Sequence, residues 1–155
     1  MTITHEYGAV VTWRGSTASG YDSYDRKHAG ACPPAAASLT LSADPAFLGD
    51  AAILNPEQLL VLAAASCQLL SFLAVAARAR IDVWEYDDDA DASMLEQPRS
   101  MSIREIRLRP RIRVAPGTDA AQVLHLCDVA HRECYISNTL NCPVTVEAAV
   151  KVADN

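Results

Sequence analysis

The segment from Asn55 to about Arg80 constrains the fold of this chain more than any other. Its start predicts a helix, because Asn55 is a favoured N-cap, Pro56 fits the first turn and Glu57 lies near the positive end of the helix dipole. The interior of this helix, Leu59 to Ala77, is apolar nearly all round and rich in alanine. A helix of this kind is buried in a core or at a subunit interface, where its small side chains allow close approach.

The remaining patterns predict an α+β fold with a mainly antiparallel sheet. The order is strand, strand, helix, strand, strand, helix, strand, without the repeated strand–helix–strand units of a parallel sheet. The first two strands are expected to pair with each other, and the third and fourth to form a long hairpin around a turn at Glu96–Ser100. The second helix begins after Pro116-Gly117-Thr118-Asp119. The predicted strands are Tyr7–Trp13, His28–Leu41, Ile81–Leu95, Met101–Val114 and Val144–Val152.

Length and composition predict a single soluble domain over residues 1–155. Half of the 155 residues are hydrophobic and 21% are charged, which argues against disorder. Because polar residues interrupt every long apolar run, no membrane span is expected. The first residues lack the pattern of a secretory signal, and the five cysteines are an odd number without framework spacing. Both observations predict a cytoplasmic protein with free thiols.

The net charge of −6 argues against a nucleic-acid partner, since phosphate binding needs a basic surface. One local exception is the stretch 104–114, where arginine alternates with apolar residues at the period of a strand. An anion-binding or RNA-binding stripe is one interpretation, but no aromatic residues interleave to stack bases. The preferred interpretation is a solvated arginine face opposite a core face. That core face contains Ile106, Leu108, Ile112 and Val114.

Cys67 and Cys134, in separate predicted helical segments, are the candidates for thiol chemistry. A free thiol, with a pKa of about 8.5, is only slightly ionised at neutral pH, and the thiolate is the attacking species. A nearby guanidinium favours the thiolate, and a paired carboxylate can hold that guanidinium in place. Arg26 and Glu57 are the candidates for these two roles. After attack on a peroxide, Cys67 would be a sulfenic acid that condenses with Cys134 to a disulfide.

Glu57 and Cys67 cannot meet within one straight helix. Ten residues separate them, which places them about 15 Å apart along the axis and roughly 80° apart around it. Three arrangements remain open: Arg26 reaches between them, the helix breaks, or one residue acts from a second subunit.

Packing and metal binding are the alternative interpretations of the cysteines and histidines. Free cysteine is often simply a buried packing residue, and Cys32, Cys127 and Cys142 are assigned to packing. Cys127 and His131 are four residues apart, with His125 and Cys134 close by, which permits a metal site. Because the chain has no CxxC or HExxH motif, this signal is weak and no metal is expected. His28 could serve as an acid or base, but at a polar loop position it is interpreted as solvated.

Two motifs resemble those of the OsmC/Ohr family, the osmotically induced and organic-hydroperoxide-resistance proteins. The first is Asn55-Pro56-Glu57-Gln58-Leu59-Leu60 leading to Ala65-Ser66-Cys67, and the second is Cys134-Tyr135-Ile136-Ser137-Asn138. The resemblance covers nearly the whole chain in the order of its elements. Tyr24-Asp25-Arg26-Lys27-His28 and Asp44-Pro45-Ala46-Phe47-Leu48-Gly49-Asp50 are similar to a less studied branch of that family.

The resemblance implies an intertwined homodimer, with two long helices packed centrally between sheets and two sites at the subunit boundary. It implies that Cys67 is the peroxidatic cysteine, that Cys134 is the resolving cysteine, and that an arginine–glutamate pair assists them. Glu57 matches the glutamate by motif. Arg14 and Arg26 both lie in the loop that should supply the arginine, and Arg26, which just precedes the second predicted strand, is preferred.

The activity implied by the resemblance is that of a cysteine-based, peroxiredoxin-like peroxidase. It would reduce organic hydroperoxides to alcohols, with a dithiol such as a protein-bound lipoyl group as reductant and no metal or flavin cofactor. Phe47 and Phe72 are expected to contribute to an apolar approach suited to a fatty or aryl peroxide. The alternative is a non-catalytic OsmC-like protein that binds an apolar small ligand at the dimer interface and keeps its thiols for packing.

Overall fold

The computed structural model describes residues 3–96 and 101–154, and the chain forms two compact units, Met1–Leu59 and Leu60–Asn155. The first unit contains a three-stranded antiparallel sheet in the order β1-β2-β3, followed by a short 3-10 helix at Pro45–Phe47. The strands are β1 (Val10–Thr12), β2 (His28–Ala31) and β3 (Ser38–Leu41).

The predicted strand His28–Leu41 is two strands joined by a turn. Pro33 and Pro34 lie in that turn and lack the backbone donors that a ladder needs, so β2 ends before them. The turn is closed by a bond from the Ala35 amide to the Cys32 carbonyl, and the chain then returns antiparallel to β2. The predicted antiparallel pairing of the first two strands is confirmed in β1 and β2.

The long helix α1 (Pro56–Arg78) begins where the sequence predicts. The Asn55 side chain accepts a bond from the Gln58 amide at 2.8 Å, and the Gln58 side chain accepts one from the Asn55 amide at 3.0 Å. This reciprocal pair is a capping box, which satisfies two of the donors exposed at a helix start. The helix is unbroken through Glu57 and Cys67, so the arrangement that required a break between them is wrong.

The end of α1 is fixed by a residue in the left-handed conformation. Arg80 has φ 59°, its amide bonds to the Ala77 carbonyl, and the Ile81 amide bonds to the Ala76 carbonyl. This is the bonding pattern of a Schellman motif, in which glycine is the favoured residue. It ends the helix two residues before the predicted boundary.

The second unit contains two three-stranded sheets, in the orders β4-β7-β9 and β5-β6-β8. The predicted hairpin is confirmed, since β4 pairs with β7 and β5 with β6, both antiparallel. The predicted last strand is split into β8 and β9, which pair in parallel with β6 and β7. Residues 97–100 of the predicted turn lie outside the described residues. The elements are β4 (Val83–Asp88), β5 (Asp91–Met94), β6 (Ile103–Leu108), β7 (Pro110–Val114), α2 (Ala120–Glu133), α3 (Tyr135–Thr139), β8 (Val144–Val146) and β9 (Ala149–Val152).

Each long strand of the predicted hairpin is interrupted at a point where backbone amides do not pair with the neighbouring strand. The Arg109 amide donates to the Asp88 carboxylate at 2.7 Å, and the next residue, Pro110, has no amide hydrogen to donate. The interruption divides the predicted core face between two clusters. Ile106 and Leu108 pack with Ala64 of α1, while Ile112 and Val114 pack in the cluster that contains Phe72 and residues of α2.

The opposite face of the hairpin is solvated, as predicted from the alternating arginines. Arg107 and Arg109 both pair with Asp91, and Arg113 pairs with Glu85 at 2.8 Å. Because these cations are exposed and paired with acidic side chains, the stretch has the features of a solvent-facing strand surface. The interpretation as an anion-binding stripe gains no support.

Within the second unit, α1 has one buried side and one exposed apolar side. Ala64, Gln68, Phe72, Val75 and Ala76 are buried, whereas Leu62, Leu70 and Leu73 are 58%, 64% and 40% exposed. An 18-residue window of this helix has a mean hydropathy of 2.2, so the helix is long and apolar enough to cross a membrane by length and composition alone. A core helix of a soluble protein passes the same test, and 28% of the window is buried within the chain.

We expect Arg80→Gly to stabilise the protein by about 1 kcal/mol, because glycine adopts the left-handed conformation without the clash of a Cβ atom. The measurement is the free energy of unfolding from urea denaturation. Arg80→Ala is the matched control: it removes the charge but keeps the Cβ atom, so it should gain little. Equal gains in both variants would assign the effect to charge instead of backbone conformation.

Candidate functional site

The structure brings Cys67 and Cys134 together in the second unit. Cys67 is half-buried on α1, Cys134 is fully buried, and both are free thiols. They are close enough for Cys67 to raise the pKa of the Cys134 thiol. Cys134 ends α2 and begins α3 in an extended conformation, with φ −71° and ψ 108°, so it lies between two helices instead of inside the second one.

The groups around Cys134 shift the pKa of its thiol in opposite directions. Burial raises the pKa of the Cys134 thiol, and the neighbouring Cys67 thiol raises it further. Hydrogen bonding from Ser137 lowers it, through a hydroxyl 3.2 Å from the Cys134 sulfur. The net direction is upward because desolvation is the largest effect. The resting site therefore keeps Cys134 as a protonated thiol with a donor already aimed at its sulfur.

Gln68, the residue after Cys67, joins the two helices that lead to the thiols. Its side chain is fully buried, and its Nε2 donates to the Cys127 carbonyl on α2 at 3.2 Å. Its Oε1 is buried and has no partner among the described residues. Gln68 lies on the same buried stripe of α1 as Phe72, Val75 and Ala76. Sequence reasoning missed it, although a single amide within an apolar helical stripe is a visible signal.

The other cysteines are placed differently from this pair. Cys127 lies in the core cluster of α1 and α2, where burial raises the pKa of its thiol to about 12. A thiol of this kind is chemically inert, in agreement with the packing interpretation. Cys142 is half-buried and Cys32 is exposed. Within residues 3–96 and 101–154, no group of three or more His, Cys, Asp or Glu side chains converges as metal ligands would.

The first unit contains a cavity of about 470 Å³. Aromatic and apolar side chains supply much of its wall, and charged side chains of both signs reach it. Arg26 and Glu57, predicted as a pair, both line it, whereas Arg14 does not. The lining residues are Val11, Trp13, Thr17, Tyr24, Arg26, His28, Ser42, Ala43, Asp44, Phe47, Pro56 and Glu57.

Arg26 is held by the loop that precedes β2. Its guanidinium carbon lies 3.9 Å from the centre of the Tyr24 ring and 4.8 Å from that of Tyr21, distances typical of cation–π contacts. Its two terminal nitrogens donate to the carbonyls of the same two tyrosines, while its Nε is buried without a hydrogen-bond partner among the described residues. In the described part of the chain, Arg26 and Glu57 share the cavity without forming an ion pair.

Two neighbours of this arginine were not predicted from sequence. Trp13 donates from Nε1 to the Asp25 carbonyl at 2.8 Å, which ties the loop to the end of β1. His28, expected to be solvated, is half-buried at the cavity, and its Nδ1 lies 2.8 Å from the Arg26 carbonyl. Three aromatic residues within a loop otherwise rich in glycine and serine were the available signal.

Phe47 and Phe72, both expected to line an apolar route for the substrate, lie in different units of the chain. Phe47 lines the cavity of the first unit. Phe72 is a core residue of the second unit, fully buried, with its ring 5.7 Å from that of Tyr86. The expectation for Phe72 is therefore wrong, because a side chain enclosed by the core cannot line an open approach.

Comparisons with known proteins give a family and a fold. A family model described as OsmC-like protein matches residues 49–149. An OsmC-like protein of unknown function from Vibrio cholerae shares 26% sequence identity and a TM-score of 0.84, with 94% of this chain and 100% of that chain covered. A search of curated proteins found no match.

Two further solved structures share the fold at lower identity. An organic hydroperoxide resistance protein OsmC from Legionella pneumophila is 20% identical with a TM-score of 0.72, over 97% of this chain and 99% of that one. An organic hydroperoxide resistance protein from Elizabethkingia anophelis is 19% identical with a TM-score of 0.72, over 99% and 100%. The resemblance and the α+β class predicted from sequence are both confirmed. The chain belongs to the family of OsmC-like proteins.

Proposed function

We propose that this protein is a thiol-dependent peroxidase that reduces organic hydroperoxides to alcohols, with Cys67 as the peroxidatic and Cys134 as the resolving cysteine. The observation that carries the proposal is the proximity of these two free thiols, one half-buried and one buried, with Cys67 close enough to raise the pKa of the Cys134 thiol. Family membership supports it, because two structural relatives are named organic hydroperoxide resistance proteins.

The proposed reaction uses the two sulfurs in sequence. The Cys67 thiolate attacks the terminal oxygen of the hydroperoxide, the O–O bond breaks, and the departing alkoxide takes a proton to become the alcohol. Cys67 is left as a sulfenic acid. The Cys134 thiol then attacks that sulfur, an S–S bond forms and water leaves. The two thiols are neighbours, which favours this condensation.

Arg26 and Glu57 are the proposed activating pair. A guanidinium favours a thiolate and cannot lose its charge, and a carboxylate can orient it. Their presence on one cavity wall, from which Arg14 is absent, favours Arg26 as the arginine. Since α1 is continuous, the remaining arrangements are that Arg26 links Glu57 to Cys67 or that one group acts from a second subunit.

The aromatic wall of the cavity supports an apolar substrate. Trp13, Tyr24 and Phe47 present flat apolar faces that suit an aryl or fatty hydroperoxide better than hydrogen peroxide. The chemistry uses cysteine sulfur throughout and needs only a dithiol, of the lipoyl type, to return the disulfide to two thiols. A reducing cytoplasm would keep such a reductant available.

The exposed side of α1 supports a homodimer. Leu62, Leu70 and Leu73 lie on its exposed face, and apolar surface of this kind is stabilised when a second copy covers it. OsmC-like membership supports the same assembly.

A non-catalytic binding protein is the second candidate function. One observation favours it: the Arg26 guanidinium is occupied by the carbonyls and rings of its own loop instead of an ion pair with Glu57. In that case the cavity would hold an apolar ligand and the thiols would serve packing.

Titration of free thiols separates the two functions. One equivalent of cumene hydroperoxide should remove two of the five thiols per chain and join Cys67 to Cys134, as shown by peptide mass spectrometry. Cys142→Ser, the matched control, should lose the same pair. Cys67→Ser should show no thiol loss and no peroxide turnover with dihydrolipoamide. Persistent turnover in Cys67→Ser would exclude the assignment, and five titratable thiols in the wild type would favour the binding protein.

Removing the proposed activating charge should slow the first step. We expect Arg26→Met to lower the second-order rate constant of Cys67 oxidation by about tenfold or more, because less thiolate is stabilised. Rapid quenching with a thiol alkylating reagent measures this rate. Arg14→Met, in the same loop but outside the cavity, should react like the wild type. A slower Arg14→Met with an unchanged Arg26→Met would reverse the choice of arginine.

Placing a charge on the exposed side of α1 should prevent association. We expect Leu70→Glu to elute as a monomer in size-exclusion chromatography with light scattering, because a buried unpaired carboxylate is strongly unfavourable. Leu124→Glu, at an exposed leucine on α2, is the matched control and should stay dimeric. A wild-type protein that is monomeric at micromolar concentration would contradict the proposed assembly.

A further inference from the structure

The two sulfurs of the dithiol site differ in access. Cys134 is fully buried, whereas Cys67 is half-buried. In thiol–disulfide exchange, the attacking thiolate approaches one sulfur in line with the S–S bond, and the other sulfur departs as a thiolate. The difference in access favours attack at Cys67 and departure of Cys134.

The two sulfurs also differ in hydrogen bonding. The Ser137 hydroxyl, on the first turn of α3, lies 3.2 Å from the Cys134 sulfur, and this bonding lowers the pKa of the Cys134 thiol against the larger opposing effect of burial. A hydrogen bond to sulfur is stronger when the sulfur is a thiolate than when it is a thiol. The bond therefore favours Cys134 as the departing sulfur, in the same direction as access.

We propose that Ser137 is a catalytic residue of the reductive half-reaction, in which its hydroxyl stabilises Cys134 as the leaving thiolate and so directs the reductant to Cys67. The proposal rests on the proposed function. A thiolate of the reducing dithiol attacks the Cys67 sulfur, a new S–S bond forms there, and the Cys67–Cys134 bond breaks with its electron pair on Cys134. The second thiol of the reductant then attacks its own mixed disulfide and releases Cys67. The reductant becomes a cyclic disulfide, and its two protons pass to the two protein thiolates.

The same short helix contains a matched control. Thr139 also has a hydroxyl, but it donates to the Tyr135 carbonyl at 2.8 Å and not to sulfur. Thr139→Ala removes a side-chain hydrogen bond from α3 and leaves the bond to Cys134 intact. It therefore separates a loosened helix from a lost donor.

The test opens the disulfide without any peroxide. The full-length protein is oxidised with diamide, exposed to glutathione as a monothiol probe, quenched with acid and alkylated with iodoacetamide. Peptide mass spectrometry then shows which cysteine has glutathione and which is alkylated. In the wild type we expect glutathione on Cys67 and the alkyl group on Cys134. Ser137→Ala should open about fivefold more slowly, since a bond to a developing thiolate is lost.

Further variants test whether the Ser137 hydroxyl itself controls the rate at which the disulfide opens. Ser137→Thr keeps a hydroxyl at the same position and should restore the wild-type rate, and Thr139→Ala should open like the wild type. Far-UV circular dichroism and thermal unfolding confirm that each variant is folded. If Ser137→Ala fails to fold, Ser137→Val, which has the shape of the threonine variant without its hydroxyl, is compared with Ser137→Thr.

Three results would overturn the proposal: glutathione on Cys134 in the wild type, wild-type rates in the variants without a hydroxyl, or no Cys67–Cys134 disulfide with diamide. The peroxidase proposal fails separately. If diamide forms the disulfide and organic hydroperoxide does not, the peroxidase assignment is wrong while the leaving-group measurement still decides the role of Ser137.

Discussion

The packing of α1 against α2 is the interaction on which the dithiol site depends. The buried stripe of α1 places Phe72, Val75 and Ala76 against the core cluster, and one turn earlier Gln68 donates to the Cys127 carbonyl of α2. A buried amide is stabilising only where its donor finds an acceptor, so this bond favours one registration of the two helices. The same registration brings Cys67 on α1 to Cys134 at the end of α2. The thiol pair is thus a consequence of helix packing.

The Cys134 thiol of the second unit and the Arg26 guanidinium of the first unit are held in different ways. In the second unit, Cys134 is enclosed by the protein, where burial raises the pKa of its thiol and the Ser137 hydroxyl moderates the effect. In the first unit, the charge of Arg26 is satisfied by neutral groups, two carbonyls and two aromatic faces. A cation held by neutral partners keeps its full charge for an anionic group.

The sequence predicts those features that local patterns determine. The capping residues Asn55 and Gln58 define the start of α1, and the alternation along 104–114 separates core from solvent. The break between β6 and β7 was missed because it depends in part on a contact distant in sequence, the bond between Arg109 and Asp88. The bond from Ser137 to Cys134 was missed because the pattern suggested that the second helix continued through Cys134, whereas the chain bends there. A single domain over 1–155, the homodimer and the site roles stay predictions.

Because Cys134 lies at a bend between two helices, a disulfide at this residue would change the stability of the protein. That residue joins α2 to α3, so a bond to Cys67 would tie the junction covalently to the centre of α1. Cross-linking positions this far apart removes conformational freedom mainly from the unfolded chain, worth about 4 kcal/mol in the loop-entropy account. The oxidised protein would then resist proteolysis longer than the reduced one. Its lifetime in the cell would therefore increase with its exposure to oxidant.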